Sequence, residues 1–384
     1  MPVATSSKGQ YLHGPKTLQL EERPLSAPGP DEVQIAIRST TLCGSDVHYY
    51  TYNRNGSIEV KEPLCGGHEA AGVIVALGQD VQKFSVLRPG DKVAIESGVP
   101  CENCTKCCKG MYNVCSKLRF RSSGASFPHF QGTLQEYVNH PARWCHKLPE
   151  SLSYDDGALL EPLSVCIHAV KKARMEKGQT CLVFGAGAVG LLSAAVAKIE
   201  HGNRVVIVDI DPGRVDFAVR EGFADVGFTT TLKRGGTLEE NLGVAKEVAV
   251  EIGKLSWPQG SEVGRFDVVL ECTGVETCVH TSIYAADSGG KVVLIGMGTA
   301  TQFWPISEIT GREIDIISVW RYAFCYPRAI EIMDAVARQG LAPDVRKLIT
   351  HRFKGLDSIP EAYETAAKTR DTRSQLVIKS VVNL

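Results

Sequence analysis

The chain has 384 residues, with 42 Lys and Arg against 43 Asp and Glu, a formal charge of -1, and 43% hydrophobic residues. This composition excludes a disordered chain, and 37 Gly with 18 Pro in no triplet period exclude collagen. The neutral balance argues against a nucleic-acid-binding protein, because phosphate neutralisation needs an excess of Lys and Arg. At about 150 residues per domain, the length predicts two domains.

The N-terminus and the apolar runs bear on export and membrane insertion. Residues 1–10 lack the apolar core of a signal peptide. The longest uncharged stretch, residues 178–197, contains four glycines, which indicates a strand, a turn and a helix rather than a membrane span. We therefore expect a cytoplasmic protein with no membrane or nucleic-acid partner. Its thirteen cysteines are expected to be metal ligands, buried residues or thiols rather than a disulfide framework.

The first part of the chain, residues 9–149, consists of short β-like segments between turns. Residues 32–38 alternate apolar and polar side chains, and residues 92–96 follow a Pro-Gly-Asp turn. This pattern predicts an antiparallel β domain.

Two turns of this β domain carry residues that bind metals. The segment Cys43-Gly44-Ser45-Asp46-Val47-His48 offers a thiolate, and Gly67-His68-Glu69 offers an imidazole and a carboxylate. Three protein ligands with one open position are how a catalytic zinc site is built. By spacing alone the prediction is weak, because single Cys and His residues are as often core or surface residues.

A loop farther along carries four cysteines. Cys101, Cys104, Cys107 and Cys115 follow the spacing C-x2-C-x2-C-x7-C. Four thiolates on tight turns form a closed tetrahedral shell, which predicts a structural zinc site. Cys108 lies beside them and is interpreted as a bystander.

From about residue 161 the pattern changes to apolar runs that alternate with helical stretches. Such runs predict a parallel sheet covered by helices on both faces. Residues 235–264 predict a helix with surface loops, and the pattern is mixed again after about residue 303. The apolar runs are residues 180–184, 205–208, 267–270 and 291–295.

The first of these runs leads into the glycine-rich turn Gly185-Ala186-Gly187-Ala188-Val189-Gly190 and then into a helix. The first glycine permits a tight turn, the second permits close approach of a pyrophosphate, and the third lets helix and strand pack closely. Free N–H groups at the helix N-terminus bind the phosphates. The pattern predicts a dinucleotide site.

The second strand ends in Asp209, 19 residues after Gly190. A carboxylate there accepts hydrogen bonds from the adenosine ribose and repels a 2′-phosphate, which predicts NAD rather than NADP. Arg214 is interpreted either as a lid over the adenine or as an ordinary charge on a helix surface.

The segment Gly67-His68-Glu69-Ala70-Ala71-Gly72, followed by Gly78 and Val81, resembles the zinc signature of the medium-chain alcohol dehydrogenase family. The four-cysteine loop, the glycine turn and the chain order agree with it over essentially the whole chain. Within that family, the chain is most similar to polyol dehydrogenases of the sorbitol, xylitol and L-arabinitol type. The segments that carry this similarity are residues 43–49, 160–165, 271–274 and Arg321-Tyr322 followed by Pro327.

The resemblance implies an α/β fold of two domains. A GroES-like β domain with the catalytic site would be built from both chain ends, residues 1–160 and 304–384. A Rossmann domain with a doubly wound parallel sheet would be inserted between them, over residues 161–303, and would bind NAD.

The resemblance also implies the site residues. Cys43, His68 and Glu69 would bind the catalytic zinc. Glu161 would lie at the metal or at its water, where relatives acting on simple alcohols carry a second cysteine. Whether Glu69 and Glu161 bind directly, alternate with each other or act through water is open. Substrate hydroxyls would be bound by Ser45, Tyr49, Glu161, Arg321 and Tyr322, with Phe120 as an apolar wall. Two other interpretations of Arg321 are that it closes over the cofactor and that it is a structural ion-pair partner. The cofactor residues would be Gly185, Gly187, Ala188, Val189, Gly190, Asp209, Arg214, Thr273 and Arg321.

The implied activity is oxidation of a polyol to its ketose by hydride transfer to NAD, with sorbitol first and xylitol or L-arabinitol next. The proton would leave through water polarised by Glu161, or through a relay from Ser45 and the cofactor ribose to His48. The alternatives are a zinc alcohol or amino-alcohol dehydrogenase, and a non-catalytic NADPH-binding structural protein. Relatives usually form dimers or tetramers, and we expect a homotetramer.

Overall fold

The computed structural model describes residues 3–231 and 235–384, which form two compact units. The first unit comprises the described residues up to Ser164 together with residues 323–339 and 346–384. The second comprises the described residues of 165–322 together with residues 340–345.

Short strands dominate the first 150 residues, as the sequence predicts. The strands are β1 (Ser6–Gly14), β2 (Thr17–Pro24), β3 (Glu32–Thr41), β4 (Arg54–Asn55), β5 (Ile58–Glu59), β6 (Leu64–Cys65), β7 (Glu69–Leu77), β8 (Lys92–Ile95), β9 (Gly98–Val99), β10 (Arg119–Phe120), β11 (Tyr137–Pro141) and β12 (Cys145–Lys147). The helices up to residue 173 are α1 (Gly44–Tyr52), α2 (Thr105–Cys108), α3 (Tyr154–Ala158) and α4 (Leu160–Ala173).

Strands and helices alternate in the middle of the chain. The strands are β13 (Thr180–Phe184), β14 (Arg204–Asp209), β15 (Val226–Thr229), β16 (Phe266–Glu271), β17 (Ala286–Leu294) and β18 (Asp315–Ser318). The helices are α5 (Ala188–His201), α6 (Pro212–Arg220), α7 (Leu238–Gly253), α8 (Glu276–Ala285) and α9 (Ile306–Gly311). The C-terminal elements are α10 (Tyr326–Gln339), β19 (Ile349–Lys354), α11 (Ile359–Ala366) and β20 (Lys379–Asn383).

A seven-stranded sheet forms the centre of the first unit. Its order is β12-β8-β7-β3-β20-β19, and β11 also pairs with β3. The strands pair in antiparallel fashion except β19 with β20. Strand β20 joins the last residues of the chain to a strand that begins at Glu32, so both chain ends build one domain, as the resemblance implies.

The core of this sheet is made by β-branched and other aliphatic residues, which fit a pleated, buried surface. Val33, Ile35 and Ile37 of β3 alternate with residues that face the other side of the sheet, and they pack in one buried cluster with Ile74 and Ile95.

The second unit is a six-stranded parallel sheet in the order β15-β14-β13-β16-β17-β18. This is the doubly wound order in which β13 and β16 meet at the switch point, so the predicted Rossmann fold is confirmed. The sequence places the end of this domain at residue 303. The sheet continues through β18, because Asp315–Ser318 pairs in parallel with β17.

The glycine turn between β13 and α5 follows from two backbone requirements. Gly185 has φ 91°, a region that L-residues with side chains rarely adopt. A Cβ on Gly190 would lie 1.7 Å from the carbonyl oxygen of Gly185, so only glycine lets α5 approach the end of β13.

Among the described helices, none is both long and apolar enough to cross a bilayer.

Candidate active site

The four cysteines predicted to bind structural zinc lie together. The Sγ atoms of Cys104 and Cys107 are 3.5 Å apart, those of Cys104 and Cys115 are 3.8 Å apart, and those of Cys101 and Cys115 are 3.5 Å apart. Sulfurs bound at about 2.3 Å to a tetrahedral zinc ion lie about 3.8 Å from one another. The loop therefore fits a zinc ion with four thiolate ligands. Cys108 is exposed and is not among the grouped ligand atoms.

A buried carboxylate holds this loop against the sheet. Tyr112, between the third and fourth cysteines, donates its hydroxyl to Glu96 Oε1 at 2.5 Å and accepts a hydrogen bond from the Phe324 amide at 2.7 Å. The Nε2 of His146 lies 2.7 Å from the other Glu96 oxygen. Burial is the main cause that raises the pKa of Tyr112, and the negative charge of Glu96 raises it further. The phenol therefore keeps its proton and stays a hydrogen-bond donor.

The second group of predicted ligands also converges. Cys43, the N-cap of α1, and His68 and Glu69, at the start of β7, each place one ligand atom within 4.8 Å of the others. His68 and Glu69 are buried, and Cys43 is half-buried. A thiolate, an imidazole and a carboxylate at these distances fit a divalent metal such as zinc.

His68 is oriented by two partners of its Nδ1 atom. This atom lies 2.8 Å from the hydroxyl of Ser122 and 3.3 Å from Asp46 Oδ2. Asp46 accepts further hydrogen bonds from the amides of Cys43 and Gly67, at 3.1 and 3.0 Å. Burial alone would raise the pKa of Asp46. The charge of His68 and these hydrogen bonds outweigh that effect and hold the pKa below its usual value. An Nδ1–H donated to these oxygens leaves Nε2 free for a metal.

Glu69 is held by a buried lysine. The Nζ of Lys379, on β20, lies 2.7 Å from one carboxylate oxygen of Glu69 and 2.6 Å from the other, and it donates to the Leu42 carbonyl at 3.1 Å. Thr41 donates its hydroxyl to the same carboxylate. Burial would lower the pKa of Lys379, but the negative groups of Glu69, Cys43 and Glu161 raise it. The lysine is therefore charged.

Glu161 is buried near the N-terminus of α4. The negative charge of Glu161 raises the pKa of Lys379, as do the charges of Cys43 and Glu69. The three negative groups therefore act on the same lysine. The carboxylate is not one of the ligand atoms that lie within 4.8 Å of one another in the described part of the chain. The structure thus groups three of the four ligands that the resemblance implies, and direct binding by Glu161 stays a prediction.

The two residues of the predicted proton relay lie on α1. Ser45 is half-buried and His48 is exposed, with its Nδ1 atom 3.3 Å from Asn55 Oδ1. An exposed imidazole can exchange protons with solvent, which the relay requires of its last member. The relay itself stays a prediction.

Of the predicted substrate residues, Tyr49 contacts the loop that follows Phe120, and Phe120 itself lies next to His68. The Tyr49 hydroxyl lies 3.4 Å from Ser123 Oγ and accepts a hydrogen bond from the Gly124 amide at 3.3 Å. The ring of Phe120 lies 5.3 Å from that of His68. Phe120 is therefore an apolar neighbour of the metal site, and substrate binding by Tyr49 stays a prediction.

In the second unit, the predicted cofactor residues surround the glycine turn. Asp209 accepts hydrogen bonds from the amides of Ala186 at 2.6 Å and Asp211 at 2.9 Å, so its carboxylate lies at the mouth of the turn. The guanidinium of Arg214 is 3.8 Å from where a Cβ on Gly187 would lie. Both side chains border the turn, and Ala188 and Val189 begin α5.

Thr273 lies on the loop that follows β16, the neighbouring strand at the switch point. The buried carboxylate of Glu271 accepts hydrogen bonds from the amides of Thr273 and Gly274, both at 2.9 Å, and from the Thr273 hydroxyl. Burial raises the pKa of Glu271 in spite of these hydrogen bonds. The carboxylate shapes a loop at the edge where doubly wound sheets bind nucleotides.

Arg321 and Tyr322 belong to the second unit rather than to the one that carries the metal ligands. The Arg321 guanidinium lies 4.8 Å above the ring of Trp320, and its backbone has φ 52°. Tyr322 is buried. Their roles toward substrate or cofactor stay predictions.

Sequence reasoning did not single out Asp46, Ser122, Lys379 or Glu271. Asp46 stands inside the quoted Cys43–His48 segment, and its position three residues after an N-cap is a signal. Lys379 is the first residue of β20 and directly follows the apolar pair Val377-Ile378, a position where a lysine without an ion-pair partner is unusual. Ser122 lies in a loop without periodicity, so no signal in the sequence could have found it.

Comparisons with known proteins agree with this geometry. The family model described as alcohol dehydrogenase GroES-like domain matches residues 29–150, and the model described as zinc-binding dehydrogenase matches residues 188–337. Sorbitol dehydrogenase of Gallus gallus is 38% identical, over 95% of this chain and 94% of that protein. L-arabinitol 4-dehydrogenase of Aspergillus niger is 39% identical, over 91% and 86%. The solved L-idonate 5-dehydrogenase of Escherichia coli has the same fold, with a TM-score of 0.82 and 24% identity over 99% and 98% of the two chains.

Proposed function

The chain belongs to the zinc-dependent polyol dehydrogenases, and from this we propose that it oxidises a polyol to the corresponding ketose with NAD, sorbitol before xylitol or L-arabinitol. The observation that carries the proposal is the convergence of the ligand atoms of Cys43, His68 and Glu69 within 4.8 Å of one another. Relatives with polyol names over nine-tenths of the chain support the substrate class.

The residues present fit the chemistry of the reaction. When bound, zinc polarises the hydroxyl being oxidised and NAD accepts the hydride. Cys43, His68 and Glu69 would hold the metal, and Asp46 with Ser122 fixes the imidazole ring. Phe120 closes an apolar side of the site next to His68 and limits the access of water.

Glu161 is the proposed proton acceptor, acting through water. Glu161 is buried, and its negative charge acts on Lys379, the lysine that binds Glu69. The relay through Ser45 and His48 is the competing path. An active His48→Ala enzyme with an unchanged pH–rate profile supports Glu161, whereas a profile that loses a limb supports the relay.

The preference for NAD rests on Asp209. Its carboxylate, fixed by two amides at the glycine turn, repels a 2′-phosphate. In Asp209→Asn, we expect the ratio of kcat/KM for NAD to that for NADP to fall by about tenfold. Asp216→Asn, on the exposed face of α6, removes an equal charge away from the turn and should leave the ratio unchanged. An equal or better kcat/KM of the unaltered enzyme with NADP would refute the proposal.

The activity is tested by initial rates of NAD reduction with sorbitol, xylitol, L-arabinitol, galactitol and ethanol. Each rate is measured again after chelation and after zinc is restored. Zinc-dependent turnover of one or two polyols with no turnover of ethanol is the expected result. Turnover of ethanol alone would favour the zinc alcohol dehydrogenase alternative, and zinc-independent turnover would refute the mechanism.

We further propose that the protein is an enzyme and not a structural NADPH-binding protein. We also propose that four copies of the chain assemble into a homotetramer. The filled set of ligand positions supports a catalytic chain. Sedimentation equilibrium measures the assembly state, and a monomer would contradict the proposal.

A further inference from the structure

In residues 119–131 the sequence assigns a role only to Phe120, as an apolar wall, yet further side chains of this segment contact the candidate metal site. Phe120 packs its ring against His68, Ser122 bonds to His68 and Asp46, and Ser123 meets the hydroxyl of Tyr49. Three side chains of one short segment thus contact three residues of the site, His68, Asp46 and Tyr49.

The hydroxyl of Ser122 is the most directly placed of these groups. Its oxygen lies 2.8 Å from His68 Nδ1 and donates to Asp46 Oδ1 at 3.1 Å. The direct distance from His68 Nδ1 to Asp46 Oδ2 is longer, 3.3 Å. The imidazole N–H therefore makes its shorter contact with the serine oxygen. Because the serine hydroxyl in turn donates to the Asp46 carboxylate, it links that carboxylate to the imidazole ring through two hydrogen bonds.

The position of Ser122 is imposed by its surroundings. It is 2% exposed and has φ 57°, a conformation that serine adopts at a cost. Its amide donates to the Phe130 carbonyl at 2.9 Å. Such strain persists only where neighbouring structure determines the backbone, and it often occurs at functional sites.

The neighbouring residue is the anchor. Arg121 is also 2% exposed, and its guanidinium donates to His140 Nδ1 at 3.1 Å, to the Gln131 carbonyl at 2.8 Å and to the Asn139 carbonyl. The ring of Phe130 lies 4.2 Å from the guanidinium. These contacts fix the backbone of residue 121, and with it the direction in which the next side chain points.

We propose that Ser122 is a positioning residue of the metal site. Its hydroxyl couples Asp46 to His68, holds the imidazole in the tautomer with the proton on Nδ1, and so increases the affinity of the site for zinc. The inference rests on the proposed function, in that zinc is the metal held by Cys43, His68 and Glu69.

The backbone conformation offers a way to separate the hydroxyl from the fold. Ser122→Ala removes the hydroxyl and keeps the cost of the positive φ, whereas Ser122→Gly removes the hydroxyl and relieves that cost. Ser123→Ala is the matched control, because its hydroxyl contacts Tyr49 and lies on the same segment without a bond to His68.

The experiment is a competition for zinc between a chromophoric chelator and the full-length chain. His68→Ala supplies the signal of the four-cysteine loop alone, which is subtracted. Both Ser122 variants should bind zinc about tenfold more weakly at the second site, although Ser122→Gly should melt at a higher temperature than Ser122→Ala. Ser123→Ala should bind zinc like the unaltered chain.

The outcomes separate the inference from the function on which it rests. Unchanged zinc affinity in Ser122→Gly would overturn the inference and leave the proposed dehydrogenase intact. Equal weakening in Ser123→Ala would overturn it as well, because the effect would then belong to the loop rather than to the hydroxyl. An unaltered chain that binds zinc only at the four-cysteine loop would refute the zinc mechanism itself.

Discussion

Single buried charges determine much of the chemistry of the first unit. Lys379 places its ammonium between both oxygens of Glu69 and the Leu42 carbonyl, at distances of 2.6 to 3.1 Å. The lysine and the carboxylate are both almost fully buried, so each depends on the other for compensation of its charge.

Removing this lysine tests that dependence. Lys379→Met should lower the free energy of unfolding by about 3 kcal/mol, because a buried carboxylate is left without its partner. We expect a larger loss after chelation, since zinc near Glu69 supplies positive charge when it is bound. Urea denaturation with and without chelator measures both, and Lys379→Arg, which keeps the charge, should lose less. Equal stability of Lys379→Met and the unaltered protein would contradict the account.

His168 on α4 gives a pH-dependent contribution to stability. Burial, followed by the charges of Lys172 and Lys171, lowers the pKa of His168 to about 4. Its Nδ1 atom is buried and has no hydrogen-bond partner within the described residues. The unfolded chain therefore takes up a proton at a higher pH than the folded one, and the stability falls as the pH drops from about 6.5 toward 4.

The substitution His168→Gln removes this pH-dependent contribution to stability. The melting temperature of the variant should fall less steeply between pH 6.5 and 4 than that of the unaltered protein, while the two curves run parallel above pH 7. Calorimetric scans across that range make the comparison. Identical slopes in the acid range would show that the folded histidine protonates normally.

At the scale of elements, the turn from β13 to α5 joins packing to cofactor binding. A Cβ on Gly190 would meet the backbone of Gly185 at 1.7 Å, whereas a Cβ on Gly187 would meet only the Arg214 side chain, at 3.8 Å. The third glycine of the motif thus serves the fold, and the second serves the approach of the phosphates.

Two alanine variants separate these roles. Gly190→Ala should lower the free energy of unfolding by about 3 kcal/mol, because a backbone contact cannot relax. Gly187→Ala should keep its stability and bind NAD more weakly. Thermal denaturation and fluorescence titration with NADH provide the two measurements, and a stable Gly190→Ala protein would contradict the packing argument.

The edges of elements were predicted less well than their existence. Residues 180–184 form β13 as predicted, since a threonine and four apolar residues before a glycine turn permit little else. Strand β18, at the edge of the sheet, has only two apolar residues between Asp315 and Ser318, so its membership of the Rossmann sheet comes from pairing with β17 rather than from its own pattern.

For the whole molecule, the two groups of candidate metal ligands differ in composition. Neighbouring sulfurs of the four-cysteine loop lie 3.5 to 3.8 Å apart, and Tyr112 ties this loop to Glu96. The second group has three candidate protein ligands, Cys43, His68 and Glu69. A closed shell stabilises structure, and an open one leaves a position for substrate.

We therefore predict two zinc ions per chain. Cys104→Ser and His68→Ala should each retain one, and Cys104→Ser should show the larger fall in melting temperature, because its metal orders a loop. Elemental analysis of gel-filtered protein counts the ions. Two ions in Cys104→Ser, or a zinc-free chain with full activity, would contradict the assignment.

Local patterns in the sequence determined the class of this protein. Cysteine spacing, the glycine turn and the Gly67–Gly72 signature each depend on neighbouring residues, whose geometry the backbone sets over a few bonds. The α/β architecture followed from the change between alternating and continuous apolar runs.

Only the tertiary structure decided which distant residues complete the site. Ser122 reaches His68 across 54 positions, and Lys379 reaches Glu69 across 310. Such contacts come from strand pairing and a strained loop, which carry no periodic signal. Whether a buried lysine or serine has a partner for its charge or hydroxyl depends on which groups the fold places within about 3 Å of it. The order of residues along the chain does not determine that distance.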